Sequence, residues 1–520
     1  MALAKDDKEK GFLDLLFSVE GLFLLIILAF RLGFLREINL QLSPDEAYYW
    51  DWSRHLAFGY YSKPPMVAWL IAIFTRAMGV SEYTVRLPAL FCGMGFLVFF
   101  YLLAYRLFGR LPARWGLFAA ALTPIFTVFG LLMTIDPPLL FFWSGALYFG
   151  WQATAKNRLR HWLLLGLFCG LGLLAKQTML AFGAFYGLWL LFYRRDLLRS
   201  PGPWITLGLA LLLWAPNLHW MATHHWITLK HTERHFREEG LYILGPVRFL
   251  AEQAGVFSPL LFGLFLWASF MLFRRRDWRK RAELSYLWAL SAWPYLAILP
   301  LSFFRKINAN WPMPFFVAGL SLTAGVVFSL RGRIKARFLR GFYVAGLILA
   351  FFSTALIYQL PRFPQKFPSQ LAGLLFRFYG WRELAHRVQK YRRSREPLFT
   401  DNRAFAAELA FYLPDHPQVC QVREGPFPRS QYHLWACPHP SSPSLWVSKG
   451  AKPPCPQGIF LDFGRLPLPG GRTLSYALWR CPQSVDLLSR RNRRFRQNPK
   501  SCAIKVLPEP RGEVSRKTFP

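Results

Sequence analysis

Two acidic residues and a lysine stand in a short segment between two apolar stretches of the chain. The segment reads "PDEAYYWDWSRHLAFGYYSKPP", residues 44–65, and it holds Asp45, Glu46 and Lys63 among many aromatic rings. A connector between two hydrophobic helices needs only small polar residues. A carboxylate can act as a general base and a lysine can neutralise a phosphate. The segment therefore favours chemistry over simple connection.

Further charged and amide side chains interrupt or border other apolar stretches. "TIDPPLL" places Asp136 at the end of one stretch, and "LLAKQTML" places Lys176 inside another. "SFFRKINANWPMP" adds Arg305, Lys306 and Asn310 just before a further apolar run. Charge at membrane depth is costly, so each ionisable residue beside a span is a functional hypothesis. For each one alone, a snorkelling or helix-end charge is the alternative.

The composition shows what kind of molecule carries these residues. The chain has 520 residues, of which 53% are hydrophobic, with 50 Phe and 21 Trp, and its mean hydropathy is +0.22. Runs such as "GLFLLIILAF", "FLVFFYLLAY" and "WLLLGLFCGLGLLA" lie in segments long enough to cross a bilayer. We predict an all-α multi-span membrane protein, with the first apolar run kept as a span because no cleavage site follows it.

The formal net charge of +35 could indicate nucleic-acid binding, but the distribution of the basic residues argues against this class. They cluster in short loops at every second connection, the pattern of loops that face the cytoplasm. With the N-terminus also inside, the pattern predicts about eleven spans and puts the segment 44–65 and the C-terminus outside. The basic loops are 106–114, 156–160, 194–199, 274–281 and 331–340.

Beyond residue 360 the apolar runs shorten and Pro becomes frequent. "SLWVSKG", "QGIFLDFG" and "TLSYALWRC" read as strands, and "NRAFAAELAFYLP" reads as a helix. We divide the chain into a transmembrane domain, 1–360, and a small α/β soluble domain outside the cytoplasm, 361–520. The basic tail "SRRNRRFRQNPK" fits contact with anionic lipid headgroups or a solvated tail.

Cysteine placement agrees with this division of the chain. Cys92 and Cys169 fall in apolar runs, and an oxidising compartment would permit disulfides among the remaining five. Their odd number leaves at least one unpaired in the monomer, and their pairing cannot be deduced from the sequence. The spacings do not indicate a zinc site. The five are Cys420, Cys437, Cys455, Cys481 and Cys502.

These motifs, in this order, resemble the membrane glycosyltransferases of family 39, which include protein O-mannosyltransferases and bacterial aminoarabinose transferases. The resemblance covers most of the chain. It is carried by "SPDEAYYWDWSRHLAFGYYSKPP", "MTIDPPLLFFW", "GLLAKQTML", "APNLHWMATHHWITLKHT", "RKINANWP", "NRAFAAELAFYLP" and "SQYHLW". It implies a GT-C fold, which is a helical bundle with a cavity open outside the cytoplasm, and a sugar donor carried on a polyprenyl phosphate.

The resemblance also implies roles for the acidic residues. Asp45 is the expected base, Glu46 its orienting or structural neighbour, and Asp136 is expected on the acceptor side. A helix cap or an Asx turn is the structural alternative for Asp45. These carboxylates would serve a single displacement at the anomeric carbon, which needs a base near the acceptor hydroxyl and cations near the departing phosphate.

The cationic and aromatic residues of the same motifs are the expected substrate contacts. Lys63, Arg305 and Lys306 form the expected phosphate clamp, while Arg305 and Lys306 also fit interfacial anchors. Interfacial aromatic belts are the alternative for Tyr60 and Tyr61. The remaining expected contacts are Arg54, Tyr60, Tyr61, Lys176 and Asn310.

The loop "NLHWMATHHWITLKHTERHFREEGLY" raises the question of a metal, because His231 and His235 have the i, i+4 spacing of ligands on one helical face. No HExxH-like carboxylate accompanies them, so interfacial histidines are the alternative. Members of the family differ in metal dependence, and the metal stays unassigned. No organic cofactor is expected.

The predicted function is transfer of a sugar from a polyprenyl-phosphate donor to a lipid or other envelope acceptor at the outer side of the cytoplasmic membrane. Transfer to Ser or Thr of a protein is the alternative within the family. A multi-span transporter and a lipid-binding scaffold are the alternatives of other classes, although no inverted repeat supports transport. The sequence does not identify the sugar, the acceptor or the oligomeric state.

Overall fold

The computed structural model describes most of the chain. The described residues are 15, 17–234, 240–330, 333–422, 427–437, 443–450, 454–455 and 457–481. His235, Cys502 and the basic tail lie outside them. The predictions made for these residues are therefore not addressed by the structure.

Helices dominate the chain up to residue 359. In chain order they are α1 (Val19–Glu37), α2 (Pro44–Ser53), α3 (Met66–Met78), α4 (Glu82–Phe108), α5 (Arg110–Leu122), α6 (Pro124–Phe129), α7 (Asp136–Lys156), α8 (Leu159–Ala175), α9 (Met179–Tyr193), α10 (Arg195–Leu198), α11 (Gly202–Thr223), α12 (Ile227–Arg234), α13 (Gly245–Phe257), α14 (Pro259–Arg274), α15 (Arg276–Arg279), α16 (Ala282–Ala289), α17 (Ala292–Ile298), α18 (Met313–Ser329) and α19 (Arg333–Gln359).

The chain after α19 combines short helices with strands. Its elements are α20 (Ser369–Ala372), α21 (Trp381–Tyr391), α22 (Arg403–Tyr412), β1 (Leu398–Thr400), β2 (Val419–Gln421), β3 (Ser444–Ser448), β4 (Ile459–Leu468) and β5 (Arg472–Cys481). A 3₁₀ helix, Gly373–Phe378, precedes α21. We call residues 361–481 the C-terminal region.

The predicted number of spans is not confirmed by the described residues. Four of their helical stretches are long and apolar enough to cross a membrane, and α13 with α14, bent by 118° at Ser258, would make a fifth. The helix α1 is not among them because it carries Glu20, Arg31, Arg36 and Glu37. The four stretches are Glu82–Phe108, Gly202–Thr223, Ala282–Phe303 and Ile334–Gln359. The mostly helical, membrane-type architecture agrees with the prediction, and the count of about eleven stays a prediction.

The apolar core of the helical bundle combines aliphatic side chains with many aromatic rings, and several helices make close contacts at glycine. A Cβ added to Gly145 of α7 would lie 2.1 Å from the ring of Phe168 of α8. One added to Gly95 of α4 would lie 2.5 Å from the ring of Phe141. Small residues at these crossings let the helices approach closely, as is common in membrane bundles. The bundle thereby fixes the ends of α7 and α8, which carry charged residues.

The C-terminal region contains one five-stranded mixed sheet of order β2-β1-β3-β5-β4. The strand β1 pairs in parallel with β2 and β3, while β5 pairs antiparallel with β3 and β4. The last three strands coincide with the three strand segments predicted from the sequence. Disulfides join Cys420 to Cys437 and Cys455 to Cys481.

The short helix α2 connects the bundle to the C-terminal region. Ser43 caps its first turn, Pro44 occupies the first helical position, and Glu46 completes a capping box. The ring of Trp50 packs edge-on to Phe411 of α22 at a centroid distance of 4.9 Å. The helix is therefore an ordered part of the interface and not a flexible connector.

Candidate active site

Glu46 is buried and every part of its carboxylate is engaged. Its Oε1 accepts from Arg86 Nε at 2.9 Å and from the backbone N–H of Met133 at 3.1 Å. Its Oε2 accepts from Arg86 Nη2 at 3.1 Å and from the Ser43 backbone N–H at 3.0 Å. These bonds tie α2 to α4 and to the loop that precedes α7. The geometry favours the structural alternative for Glu46.

Asp136 joins three distant segments of the chain. Its Oδ1 lies 2.9 Å from Lys176 Nζ, and its Oδ2 accepts from Asn310 Nδ2 at 3.2 Å. The backbone N–H of Asp136 donates to Thr134 Oγ1 at 3.2 Å. Lys176 stands in the break between α8 and α9, where its backbone is extended. Three of the residues singled out by the sequence therefore meet at one point.

Lys63 lies within electrostatic reach of this cluster. Burial, and then the nearby Lys176, lower the pKa of Lys63 to about 8, while Asp136 and Asp45 act in the opposite direction. Among the described residues no side chain forms a hydrogen bond or ion pair with its ammonium group. A cation placed this way is available to an anionic ligand.

Asp45 projects from the first turn of α2 toward the C-terminal region. Its Oδ2 lies 3.0 Å from Arg377 Nη2, and its Oδ1 lies 2.9 Å from Arg403 Nη2. Burial acts to raise the pKa of Asp45, but Arg403 and Arg377 outweigh it and hold the pKa below its usual value. The carboxylate is therefore ionised at neutral pH.

Tyr49, one helical turn after Asp45, was not singled out by the sequence. Its ring is buried, and burial, then Asp45, raise the pKa of its hydroxyl, with a further contribution from Asp136. Tyr49 therefore lies within electrostatic range of both carboxylates. The i, i+4 spacing in "DEAYY" was the available signal.

Arg54 and Tyr60 are placed among packing contacts. Arg54 Nη1 contacts Asp51 Oδ1 at 3.1 Å, and its Nη2 donates to the His416 carbonyl at 2.9 Å. Tyr60 stacks on Trp52 with a centroid distance of 4.4 Å, and its hydroxyl lies 3.1 Å from the Trp52 carbonyl. These contacts brace α2, so the structure does not bring the two residues to the Asp136 cluster.

Tyr61, two residues before Lys63, contacts the C-terminal region. Its backbone N–H donates to Gln431 Oε1 at 2.7 Å, and its ring lies 5.0 Å from that of His231. Since His231 packs against an aromatic ring here, this contact fits the interfacial alternative. Within the described part of the chain, no group of three or more His, Cys, Asp or Glu could hold a metal ion.

Arg305 and Lys306 border a groove of about 790 Å³. The groove also takes in Arg248 and Glu252, and most of its other lining is apolar. The guanidinium of Arg305 lies 5.9 Å from the centre of the Trp311 ring. The groove is linked along the chain to the carboxylate cluster through Asn310, which donates to Asp136. Its mixed lining suits a molecule with an anionic head and a hydrocarbon body.

The chain is similar to known glycosyltransferases. The profile described as dolichyl-phosphate-mannose-protein mannosyltransferase matches residues 62–220. Lipid A galacturonosyltransferase RgtD of Rhizobium johnstonii is 29% identical over 410 residues, which cover 75% of this chain and 82% of that protein. The chain is a glycosyltransferase, and these matches support its similarity to family 39.

A second curated relative of this glycosyltransferase is the undecaprenyl phosphate-alpha-4-amino-4-deoxy-L-arabinose arabinosyl transferase of Pseudomonas aeruginosa. It is 28% identical over 363 residues, which cover 64% of this chain and 62% of the relative. The match thus spans less than two thirds of that protein's length.

The fold of the glycosyltransferase is that of solved GT-C structures. ArnT from Cupriavidus metallidurans in the apo state superposes with a TM-score of 0.59 at 17% identity, covering 89% of this chain and 98% of that one. The structure of the same protein bound to undecaprenyl phosphate superposes with a TM-score of 0.60 at 16% identity. At such identity the likeness concerns the fold, and it confirms the predicted GT-C architecture with a small C-terminal sheet.

Proposed function

We propose that this glycosyltransferase moves a sugar from a polyprenyl-phosphate donor to a glycolipid acceptor outside the cytoplasm, with inversion at the anomeric carbon. One observation carries the proposal. Asp136, Lys176 and Asn310 come from three separate segments and meet at one point, and Lys63 interacts electrostatically with Asp136, Lys176 and Asp45. The cluster offers carboxylates and a free cation in the same place, as a displacement that expels a phosphate requires.

The donor is assigned from the groove and from the setting. Outside the cytoplasm there is no supply of nucleotide sugars, so the activated sugar must arrive on a lipid. The groove beside Arg305 and Lys306 presents cations and apolar walls, which suits a polyprenyl phosphate. The solved structure of ArnT with bound undecaprenyl phosphate supports the same class of donor.

The reaction is a single displacement. The acceptor oxygen forms a bond to the anomeric carbon, and the bond between that carbon and the phosphate oxygen breaks. The acceptor proton passes to Asp45, and the polyprenyl phosphate leaves with the bonding electrons. Lys63 stabilises the charge that develops on the departing phosphate, with Arg305 and Lys306 nearby. Asp136, neutralised by Lys176 and held by Asn310, orients the acceptor.

The acceptor is assigned to the lipid class and not to protein hydroxyls. The relative covered over 82% of its length acts on lipid A by its name, whereas the mannosyltransferase profile matches only residues 62–220. The acceptor's chemistry would then be a sugar hydroxyl or a phosphate of an envelope glycolipid.

We place the site and the C-terminal region on the outer side of the cytoplasmic membrane. The two disulfides of this region fit an oxidising compartment. The basic loops of the sequence fit the cytoplasmic side. The end of α19 at Gln359 supports a boundary near residue 360 between the transmembrane domain, 1–360, and the soluble domain, 361–520.

The test uses purified full-length protein in lipid nanodiscs with a polyprenyl-phosphate sugar and a lipid A-type acceptor. We expect equal amounts of glycosylated acceptor and free polyprenyl phosphate. A peptide acceptor rich in Ser and Thr should stay unmodified. Product formation from a nucleotide sugar without a lipid carrier would contradict the proposal, and so would movement of the donor lipid across the bilayer without transfer.

A further inference from the structure

Asp45 is held by two arginines that both belong to the C-terminal region. Arg377 comes from the 3₁₀ helix before α21, and Arg403 is the first residue of α22. Each takes one of the two carboxylate oxygens, at 3.0 and 2.9 Å. Each oxygen of the expected base therefore already accepts a charged hydrogen bond, which lowers the basicity of the carboxylate toward an acceptor hydroxyl.

The two arginines are not fixed equally. Arg403 lies over the ring of Tyr48 at 4.7 Å, and Asn402 caps the helix that begins with it. The Arg377 side chain is 46% exposed against 36% for Arg403. Cation–π contact and the helix start restrain Arg403, so Arg377 is the partner that can leave Asp45 at lower cost.

Docking of the C-terminal region does not depend on the charge of Asp45. The Trp381 backbone N–H donates to Gln41 Oε1 at 2.7 Å, and the Leu42 N–H donates to the Tyr412 hydroxyl at 2.7 Å. Such buried hydrogen bonds hold the interface, whereas half-exposed ion pairs contribute little to stability. Two guanidiniums on one carboxylate also leave one positive charge in excess beside Asp45.

We propose that Arg377 binds an oxyanion of the incoming substrate, a phosphate or a carboxylate, and in doing so leaves Asp45 with a single guanidinium and a more basic oxygen for the acceptor hydroxyl. The proposal rests on the proposed function, because it takes Asp45 as the base. Arg403 stays on the other oxygen and acts as a positioning residue. A neutral substrate would leave the carboxylate covered, so the exchange also selects for anionic substrates.

The groups that face Asp45 determine how its ionisation responds to this exchange. They are Arg377, Arg403 and Glu408 from the C-terminal region, Lys63 from the loop after α2, and Tyr49 from α2 itself. Burial raises the pKa of Glu408 well above its usual value, which favours its neutral form. Loss of Arg377 removes a cation and should raise the pKa of Asp45.

The kinetic test compares Arg377→Gln, Arg377→Lys and Arg403→Gln in full-length protein in nanodiscs. Arg387→Gln is the matched control, since Arg387 is an exposed arginine of α21 in the same region. For Arg377→Gln we expect KM of the anionic substrate to rise about 10- to 100-fold, the scale of a charged hydrogen bond. The acid limb of the pH–rate profile should move to higher pH. The rise in KM should be smaller in Arg377→Lys than in Arg377→Gln. Varying donor and acceptor separately shows which of them carries the anion.

A binding measurement without turnover separates this inference from the proposed function. The probes are glucuronate, which carries a carboxylate, and glucosamine 6-phosphate, with sodium chloride at matched ionic strength as the baseline. At least one probe should raise the melting temperature of the wild type and of Arg387→Gln but not of Arg377→Gln. Equal stabilisation of Arg377→Gln, or none of the wild type, would overturn the inference. An unchanged KM and pH profile in folded Arg377→Gln would overturn it as well.

Discussion

Asp136 and Lys176 lie 2.9 Å apart although 40 positions separate them in the chain. Asp136 is at the start of α7 and Lys176 follows the end of α8, so the antiparallel packing of these two helices brings the charges together. Both side chains are largely buried, at 5% and 13% exposure. A buried pair of this kind fixes the position of each partner, and it resists removal of either one.

The first prediction concerns this pair. Asp136→Asn leaves Lys176 buried without a counter-charge and should lower the free energy of unfolding by about 3–5 kcal/mol. The double variant Asp136→Asn with Lys176→Met should recover much of that stability but not the transferase activity. Chemical unfolding and donor turnover measure the two effects. Glu283→Gln, which breaks a more exposed pair with Arg281, is the control and should change stability by less than about 1 kcal/mol. Recovery of activity in the double variant would contradict the role given to Asp136.

Glu46 should behave as a residue of the fold. Glu46→Gln weakens the buried contacts to Arg86 and Met133 and should cost about 3–5 kcal/mol of stability, because Arg86 keeps an unpaired charge. Thermal unfolding in detergent measures this loss. The fraction that remains folded should turn over at nearly the wild-type rate. A stable Glu46→Gln protein with abolished turnover would instead make Glu46 a catalytic residue.

The pH dependence of the reaction should report Lys63. Burial lowers the pKa of Lys63 to about 8, so its positive charge is present below that pH and is lost as the pH rises through it. We therefore expect kcat/KM to fall on the alkaline side near pH 8, while Lys63→Arg should retain activity to higher pH because arginine stays charged. Lys390→Arg, an exposed change in α21, is the control. An alkaline limb that persists unchanged in Lys63→Arg would exclude Lys63 as its origin.

The placement of the C-terminal region can be tested in cells. A reporter that is active only outside the cytoplasm should be active when fused after residue 360, and silent when fused near Arg276. The disulfides Cys420–Cys437 and Cys455–Cys481 should protect these cysteines from thiol labelling until the protein is reduced. The opposite reporter pattern would show that the C-terminal region and the site face the cytoplasm.

Much of the site was accessible from the sequence because the family motifs are local. "TIDPP", "AKQT" and "KINAN" mark Asp136, Lys176 and Asn310, which the structure brings into contact, and "PDEAYY" marks the proposed base Asp45. The strands β3 to β5 were also visible as short runs between turn residues. The periodicity of apolar residues does not fix which helices cross the bilayer, since α13 and α14 bend by 118° within one apolar region.

The arginines on Asp45 could not be predicted. Arg377 and Arg403 stand 332 and 358 positions away from it, in a region where arginine is frequent. They are identified only by the docking of the C-terminal region against α2. Arg54 shows the converse case, because its proximity to Asp45 in sequence suggested a site residue while its contacts with Asp51 and His416 are those of packing.

The most direct test of the account separates donor binding from transfer at Asp45. Asp45→Asn preserves shape and removes the base, so purified protein should bind the polyprenyl-phosphate sugar with nearly the wild-type Kd. In a single-turnover assay its rate of transfer should fall about a hundred- to ten-thousandfold. A variant that binds the donor poorly but transfers at the normal rate when saturated would contradict the account, and so would full activity of the folded variant.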